Sequence, residues 1–555
     1  MSASTAAGSA PAPAAPATAS RAKKPRDQRL DFYRGIAMLI ILIAHIPINQ
    51  WTLWIPARFG FSDATEIFVF CSGFASALAF GTVFLNKGFH LGLGRITYRI
   101  WQVYWCHVGI LLFCAALVFA IQNNGWGSAE VNYLTRPYLV PMFDNTGVTI
   151  GGLLTLTYVP GLFDILPMYL VILALIPVVI LAYRAAGRLG VAVLVIGLWV
   201  LATLAGLGRQ AGEEDWTGLG AMIAEAASMV VWLDWLNLPS RPWDVGTWFF
   251  NPFAWQLVFF TGFAFGMGWI PAPPRSRLLM WIALGVVLAS VPLAWHKIYP
   301  YLTGYWPRAL GGEVLWDIRQ ALEPFYWKTW QGLFRFLHFL ALAYLAWYVA
   351  GPAGERLNRG FTAAERPAAQ WKKIGMGAAA VAVITIPYAY VEEIRALLPA
   401  LDRFFLSTVP LVHARWIGLL QIAHLVALLT LAWAALGPAR RAWVLADGFC
   451  RVVPVLRKIG TQSLAVFVVS IPLAIALGAF LDVWGREMLP TAIANLTGFA
   501  ILTGVAYGAA WFRKQPWRGE ATKMAPSRVE TVASSPVERS PGGGQSGRSV
   551  VVSGA

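Results

Sequence analysis

Charge is scarce in this chain. Of 555 residues, 13% are Asp, Glu, Lys or Arg and 58% are hydrophobic. A soluble protein of this length would need a more charged surface, so an ordinary soluble enzyme is excluded. Cysteine is also scarce. Cys71, Cys106, Cys114 and Cys450 have no metal-like spacing, and the first three lie in or near apolar runs, as small core residues do. No disulfide framework is implied. No HExxH, CxxC pair or carboxylate cluster suggests a metal site. Internal repeats and a separate soluble domain are lacking as well. Acidic residues number 27 against 43 basic ones, a formal net charge of +16. That excess does not point to nucleic acid, because the Lys and Arg residues gather in short connections between apolar runs, where the positive-inside rule puts them.

The apolar runs dominate what is present. About twelve are candidate spans, near 32–50, 65–85, 99–121, 163–183, 189–207, 252–270, 277–295, 330–350, 373–390, 411–436, 461–481 and 490–512. Alternate connections carry the cations: Lys87, Arg95 and Arg99; Arg184 and Arg188; Arg275 and Arg277; Arg356, Arg359, Arg366, Lys372 and Lys373; Arg440, Arg441, Arg451, Arg457 and Lys458. The connections between them are acidic or balanced, as with Glu213, Glu214, Asp215 and Glu225. An all-α polytopic membrane protein is expected, a bundle of about 10–12 transmembrane helices with both termini cytoplasmic. Residues 1–29 are expected to form a disordered basic tail, 30–512 the membrane domain, and 513–555 a second disordered tail rich in Ser and Gly. The outward connections 209–250 and 296–330 are rich in Trp, fitting an interfacial belt and also a platform for sugar rings.

One stretch organises the chemistry, Leu30 to Ile48. It is almost wholly apolar yet carries Arg34 and His45. Eleven residues on a helix are about three turns, ~16 Å of rise, and return to nearly the same face. Ionisable groups in an apolar span face a cavity or a partner rather than lipid. Asp63 and Glu66 follow at the outer entrance of the second span. They fit an N-terminal capping box, and they also fit a carboxylate orienting His45 as a general base. Arg95 and Arg99 lie four apart at the inner side, with Tyr104 beyond. They read as positive-inside anchors or, together with Arg34, as a site for a phosphorylated donor. Ser72 is a candidate acyl-carrying nucleophile, although Ser72-Gly73 also suits close helix packing. Arg335 and His338, three apart, line a cavity or bond within the core. His107 is a weaker candidate for the same cavity. His413 and His424, with Arg415 between them, and His90 and His296 read as core, loop or interface residues.

Several motifs resemble those of one superfamily. Arg34, ten intervening residues and His45 match the signature of the membrane acyltransferase-3 proteins. Phe68-Val69-Phe70-Cys71-Ser72-Gly73-Phe74 is similar to their second-helix motif. Arg95 and Arg99-Ile100 with Tyr104 resemble their third-helix motif, although the usual Pro before the Tyr is replaced here by Val103. Within the superfamily, RLDFYRG, GFSDATEIFVFCSGF, Arg335-Phe336-Leu337-His338 and the GTQSLAVF run ending at Phe467 resemble the OpgC branch.

The resemblance implies an acyltransferase-3-like core and a transmembrane O-acyltransferase of the bacterial inner membrane. Acyl-CoA, with a succinyl group, would be the co-substrate, with no bound cofactor. Its phosphates would lie near Arg34, Arg95 and Arg99. A periplasmic glucan or other polysaccharide would be the acceptor. His45 would act as base, with Glu66 or Asp63 orienting it, and Ser72, Tyr104, Arg335 and His338 would line the cavity. The bilayer is the remaining partner; nucleic acid is not. A proton-coupled transporter and a non-catalytic partner in envelope polysaccharide synthesis are the alternatives.

Overall fold

The structure is a computed structural model that describes residues 27–136, 138–211, 216–294, 312–362, 366–389 and 417–518. The chain divides into two compact units, 1–509 and 510–555. The second is described only as the end of the last long helix and the turn Pro516–Arg518; all that follows concerns the first.

Helix α1 spans Gln28–His45, capped by Asp27, whose carboxylate accepts the Arg29 N–H at 3.0 Å. Helix α2, Ala64–Ser76, runs through a π-helical turn, Ala77–Gly81, into α3, Thr82–Asn86. Helix α4, Phe89–Asn123, is followed by the short α5, Val140–Asp144, and α6, Thr146–Thr155. Helix α7, Ile165–Gln210, has 46 residues. Its ~69 Å of rise is too long for one crossing of a ~30 Å hydrocarbon core. It breaks at Ala186 and Gly187, where φ 59° and ψ −144° at Gly187 is a conformation open to glycine and costly for other residues. Helices α8 (Gly218–Ser228), α9 (Pro252–Met267), α10 (Arg277–Ala294), α11 (Gly312–Leu322), α12 (Leu333–Ala350), α13 (Glu355–Arg359) and α14 (Ala368–Ala389) come next. The last five are α15 (Ile417–Ala435), α16 (Pro438–Trp443), α17 (Phe449–Thr461), α18 (Ser463–Trp484) and α19 (Met488–Lys514). Among the described residues there is no strand, and one isolated bridge joins Pro239 to Thr247.

Among the described residues seven helices are long and apolar enough to cross a membrane: α2 with α3, α4, α7, α10, α12, α18 and α19. An eighth is added if Ala423–Ala435 and Pro438–Thr461, bent by 113°, form one broken span. The described part of each of the twelve stretches expected from sequence falls mainly on a helix or half of α7, and the lower number has physical causes. Helix α1 carries Arg29, Asp31 and Arg34, α9 has only 16 residues, α7 holds two stretches, α14 carries Lys372 and Lys373, and α15 counts only as part of the bent pair.

Helix α9 is apolar on every side, and Trp255, Val258, Phe259 and Phe263 are wholly buried at the centre. It crosses α2 with almost no side chain between the backbones. A Cβ on Gly73 would overlap the Phe259 carbonyl oxygen, and one on Gly262 would overlap that of Phe70. Helix α1 meets α17 in the same way, Gly35 against the Leu456 carbonyl and Gly460 against that of Asp31. Small residues at such crossings let helices bind by close packing where hydrophobic burial gives no drive. The connection 436–461 was expected as a basic inner loop. It is instead α16 and α17, with Val453, Ile459 and Gly460 buried.

Candidate active site at the ends of α1, α2 and α12

Helix α2 begins with a complete capping box. Asp63 caps it, its carboxylate accepting the Thr65 N–H at 2.7 Å, while Glu66 Oε2 accepts the Asp63 N–H at 2.8 Å. Capping does not exhaust these carboxylates, because each has a second partner. Glu66, wholly buried, pairs through Oε1 with Arg335 Nε at 2.5 Å. Asp63 Oδ2 accepts from Lys328 Nζ at 2.7 Å and from Arg335 Nη2 at 3.2 Å. Burial pushes the Asp63 carboxyl up, but the charges of Lys328 and Arg335 and the bonds it accepts outweigh that and hold it well below the usual carboxylate range.

Arg335 and His338 are carried on the first turns of α12 and are both buried. The Ser62 N–H donates to His338 Nδ1 at 3.2 Å, and Ser62 Oγ lies 2.7 Å from the same nitrogen. A backbone N–H can only donate, so Nδ1 is the acceptor and the ring proton is on Nε2. The other edge of the imidazole lies on Gly60, where a Cβ would overlap it.

Lys328 comes from the aromatic connection before α12. Its carbonyl accepts the Trp255 indole N–H at 2.9 Å, and its ammonium lies 5.2 Å from the centre of the Phe250 ring. Asp164, immediately before α7, is buried, and burial pushes its carboxyl up to about 7 against the charge of Lys328. Sequence reasoning missed both residues. Lys328 had little signal, since its connection also carries Lys297, Arg308 and Arg319.

His45 closes α1 at the same end of the bundle and is half-buried. Among the described residues the charges of Lys328 and Asp63 act on it. The expected hydrogen bond from His45 to the Glu66 or Asp63 carboxylate is not formed, because both carboxylates are turned to Arg335 and Lys328. Among the described residues His45 Nδ1 is buried without a hydrogen-bond partner.

A family model described as OpgC protein matches residues 26–370 and 360–514. The chain belongs to the OpgC family. No curated protein and no solved structure matches it. OpgC membership supports a membrane acyltransferase-like role in glucan modification, and the matched residues include every group described above.

At the other end of this OpgC-family chain the three arginines are apart in their contacts. Arg34 is buried and donates to the Cys71 carbonyl of α2. Arg95 is exposed, with its guanidinium 5.9 Å from the Phe80 ring centre. Arg99 donates to Gln102 Oε1 at 3.3 Å. Tyr104 donates to the Leu154 carbonyl at 2.7 Å. Ser72 is buried beside Gly73 at the α2–α9 crossing. His107 is wholly buried in α4, and His90 is exposed. His424 bonds to Thr385 Oγ1 at 2.9 Å between α14 and α15. His296, His413 and Arg415 lie outside the described residues.

Proposed function

We propose that this protein is an inner-membrane O-acyltransferase that moves a succinyl group from cytoplasmic acyl-CoA to hydroxyls of a periplasmic glucan. The observation that carries the reading is His45. Its imidazole ends α1 with an unspent nitrogen, under the charges of the Lys328–Asp63 pair. That is what a base working on a neutral hydroxyl needs. In the proposed reaction an imidazole nitrogen takes the proton of a glucan hydroxyl as its oxygen attacks the thioester carbonyl. The C–S bond breaks, and the imidazolium returns the proton to the leaving CoA thiolate. Lys328 spends one bond on Asp63 and keeps two N–H donors for the oxygen that becomes negative in the tetrahedral intermediate. Arg335 with Glu66 and Asp63 holds the α2 and α12 ends together around it. Arg34, Arg95 and Arg99 supply positive charge for the donor phosphates at the opposite end. Both ends of one helix therefore serve the two substrates, and Arg34 and His45 stand ~16 Å apart along it.

The test is mass spectrometry of glucans from cells lacking the protein, complemented with wild type or His45→Ala. Succinyl groups are expected to vanish on deletion, to return with wild type, and to stay absent with His45→Ala at normal membrane levels. Unchanged glucans in all strains would overturn the substrate assignment. Full restoration by His45→Ala would overturn the assignment of the base.

A further inference from the structure

A histidine that acts as a base is ordinarily aimed by a hydrogen bond to its second nitrogen. His45 has none among the described residues, so something else must fix its ring. The backbone after it is held from three sides. Arg486, at the end of the α18–α19 turn, donates through Nη1 to the Pro47 carbonyl at 2.5 Å and to that of Ile48 at 3.3 Å. Arg486 is itself held by the Asp482 carboxylate, whose other oxygen accepts from Tyr133 Oη at 3.1 Å and Arg136 Nη2 at 3.4 Å. Asn49 and Asn495, both buried, exchange amide hydrogen bonds of 2.9 and 3.0 Å. Asn49 also reaches back to the Ile43 carbonyl of α1 at 3.1 Å. Gly478 of α18 receives Pro47 so closely that a Cβ there would come 2.7 Å from its ring.

The turn so held is not a relaxed one. Ile48 has φ 51° and is 77% exposed, a left-handed conformation that a β-branched residue rarely adopts. Such a conformation persists where the surroundings over-determine it. A plain helix end would need neither two arginines on one carboxylate nor a buried amide pair.

We infer that Arg486 and the Asn49–Asn495 pair are positioning residues for His45. They aim the imidazole through the backbone of residues 46–49 and leave its ring nitrogens free for the reaction. This rests on the proposed role of His45. It explains why the ring needs no carboxylate: a hydrogen bond to Nδ1 would occupy one of its two nitrogens, whereas the backbone clamp occupies neither.

The experiment uses full-length protein in lipid nanodiscs, with succinyl-CoA and a β-glucan, following release of CoA. Wild type, His45→Ala, Arg486→Gln, Arg486→Lys and Asn495→Leu are compared for kcat, for KM of both substrates and for folded yield. Arg486→Gln is expected to lower kcat on the order of 100-fold, the cost of a misplaced group, with both KM values and folded yield unchanged. Arg486→Lys, which keeps one donor for the Pro47 carbonyl, is expected to recover much of that loss. An unchanged kcat in Arg486→Gln, or a loss that only follows folded yield, overturns the clamp. If Arg486→Gln does not accumulate, Asn495→Leu decides by the same split between kcat and KM. A wild type that releases no CoA defeats the proposed function and the clamp with it. An active wild type, an inactive His45→Ala and a normal Arg486→Gln defeat the clamp alone.

Discussion

Two cations meet the Asp63 carboxylate, and their burial separates their roles. The Arg335 side chain is 3% exposed and spends its guanidinium on Glu66 and Asp63, whereas that of Lys328 is 29% exposed and bonds Asp63 alone. Removing one partner of a buried pair leaves an uncompensated charge, at a cost of about 3–5 kcal/mol. Arg335→Met is therefore expected to reduce folded protein in the membrane. Lys328→Gln should leave that level intact while cutting acylation, and immunoblotting beside glucan mass spectrometry reads both. Equal losses of protein in the two variants would remove the distinction. Asp164 gives a pH test. Its carboxyl titrates near 3.8 when unfolded and is pushed up to about 7 by burial when folded. The native state therefore binds the extra proton between those values. The stabilisation is full below the unfolded value and is lost as pH rises through the folded one. Three units correspond to roughly 4 kcal/mol at most. Asp63 is held low and stays ionised throughout this window. Thermal unfolding in lipid from pH 4.5 to 8 should show wild type losing stability relative to Asp164→Asn as pH rises. Parallel curves would show that Asp164 does not carry the shift.

At the scale of elements, what could be read from the sequence was what is local. Apolar runs placed the long helices, and the Asp63/Glu66 spacing placed a capping box that the structure contains. The Ser72-Gly73 pair marked a close crossing, and Gly73 does meet the Phe259 backbone. Helix α17 was hidden because its cations lower its mean hydropathy, while the residues it buries are few, with Val453 and Gly460 seven apart on one face. The partner of Glu66 was hidden for another reason. Two plausible partners, His45 and Arg335, are both far from it in sequence. Only packing decides that α12 brings Arg335 to the α2 entrance while the α1 end stops short. The Asn49–Asn495 pair spans 446 residues and has no local signal at all. Helix existence depends on neighbours three and four positions away, whereas the pairing of charges depends on which helices touch.

At the scale of the molecule, the proposed chemistry depends on sidedness. His45 ends α1, Asp63 precedes α2, Asp164 precedes α7 and Arg335 begins α12, so these groups share one end of the bundle if each intervening helix crosses once. The cations of the alternate connections, such as Lys87 and Arg359, belong to the opposite end by the positive-inside rule. A periplasmic glucan can reach His45 only if the first end faces outward. Single cysteines settle this in a variant whose four native cysteines are replaced by serine. Glu130 and Asp244 are exposed positions in connections on the His45 side, and Lys87 and Arg359 are exposed on the other. A membrane-impermeant thiol reagent is expected to label Glu130→Cys and Asp244→Cys in cells with a permeabilised outer membrane. Lys87→Cys and Arg359→Cys should react only once the inner membrane is opened. The reverse pattern would place His45 and Lys328 in the cytoplasm, where acyl-CoA is present and a periplasmic glucan is not. In that case transfer across the membrane could not occur at His45. A mixed pattern would mean that one half of α7 or the short α9 does not cross, and the shared end would have to be redrawn around the helices that do.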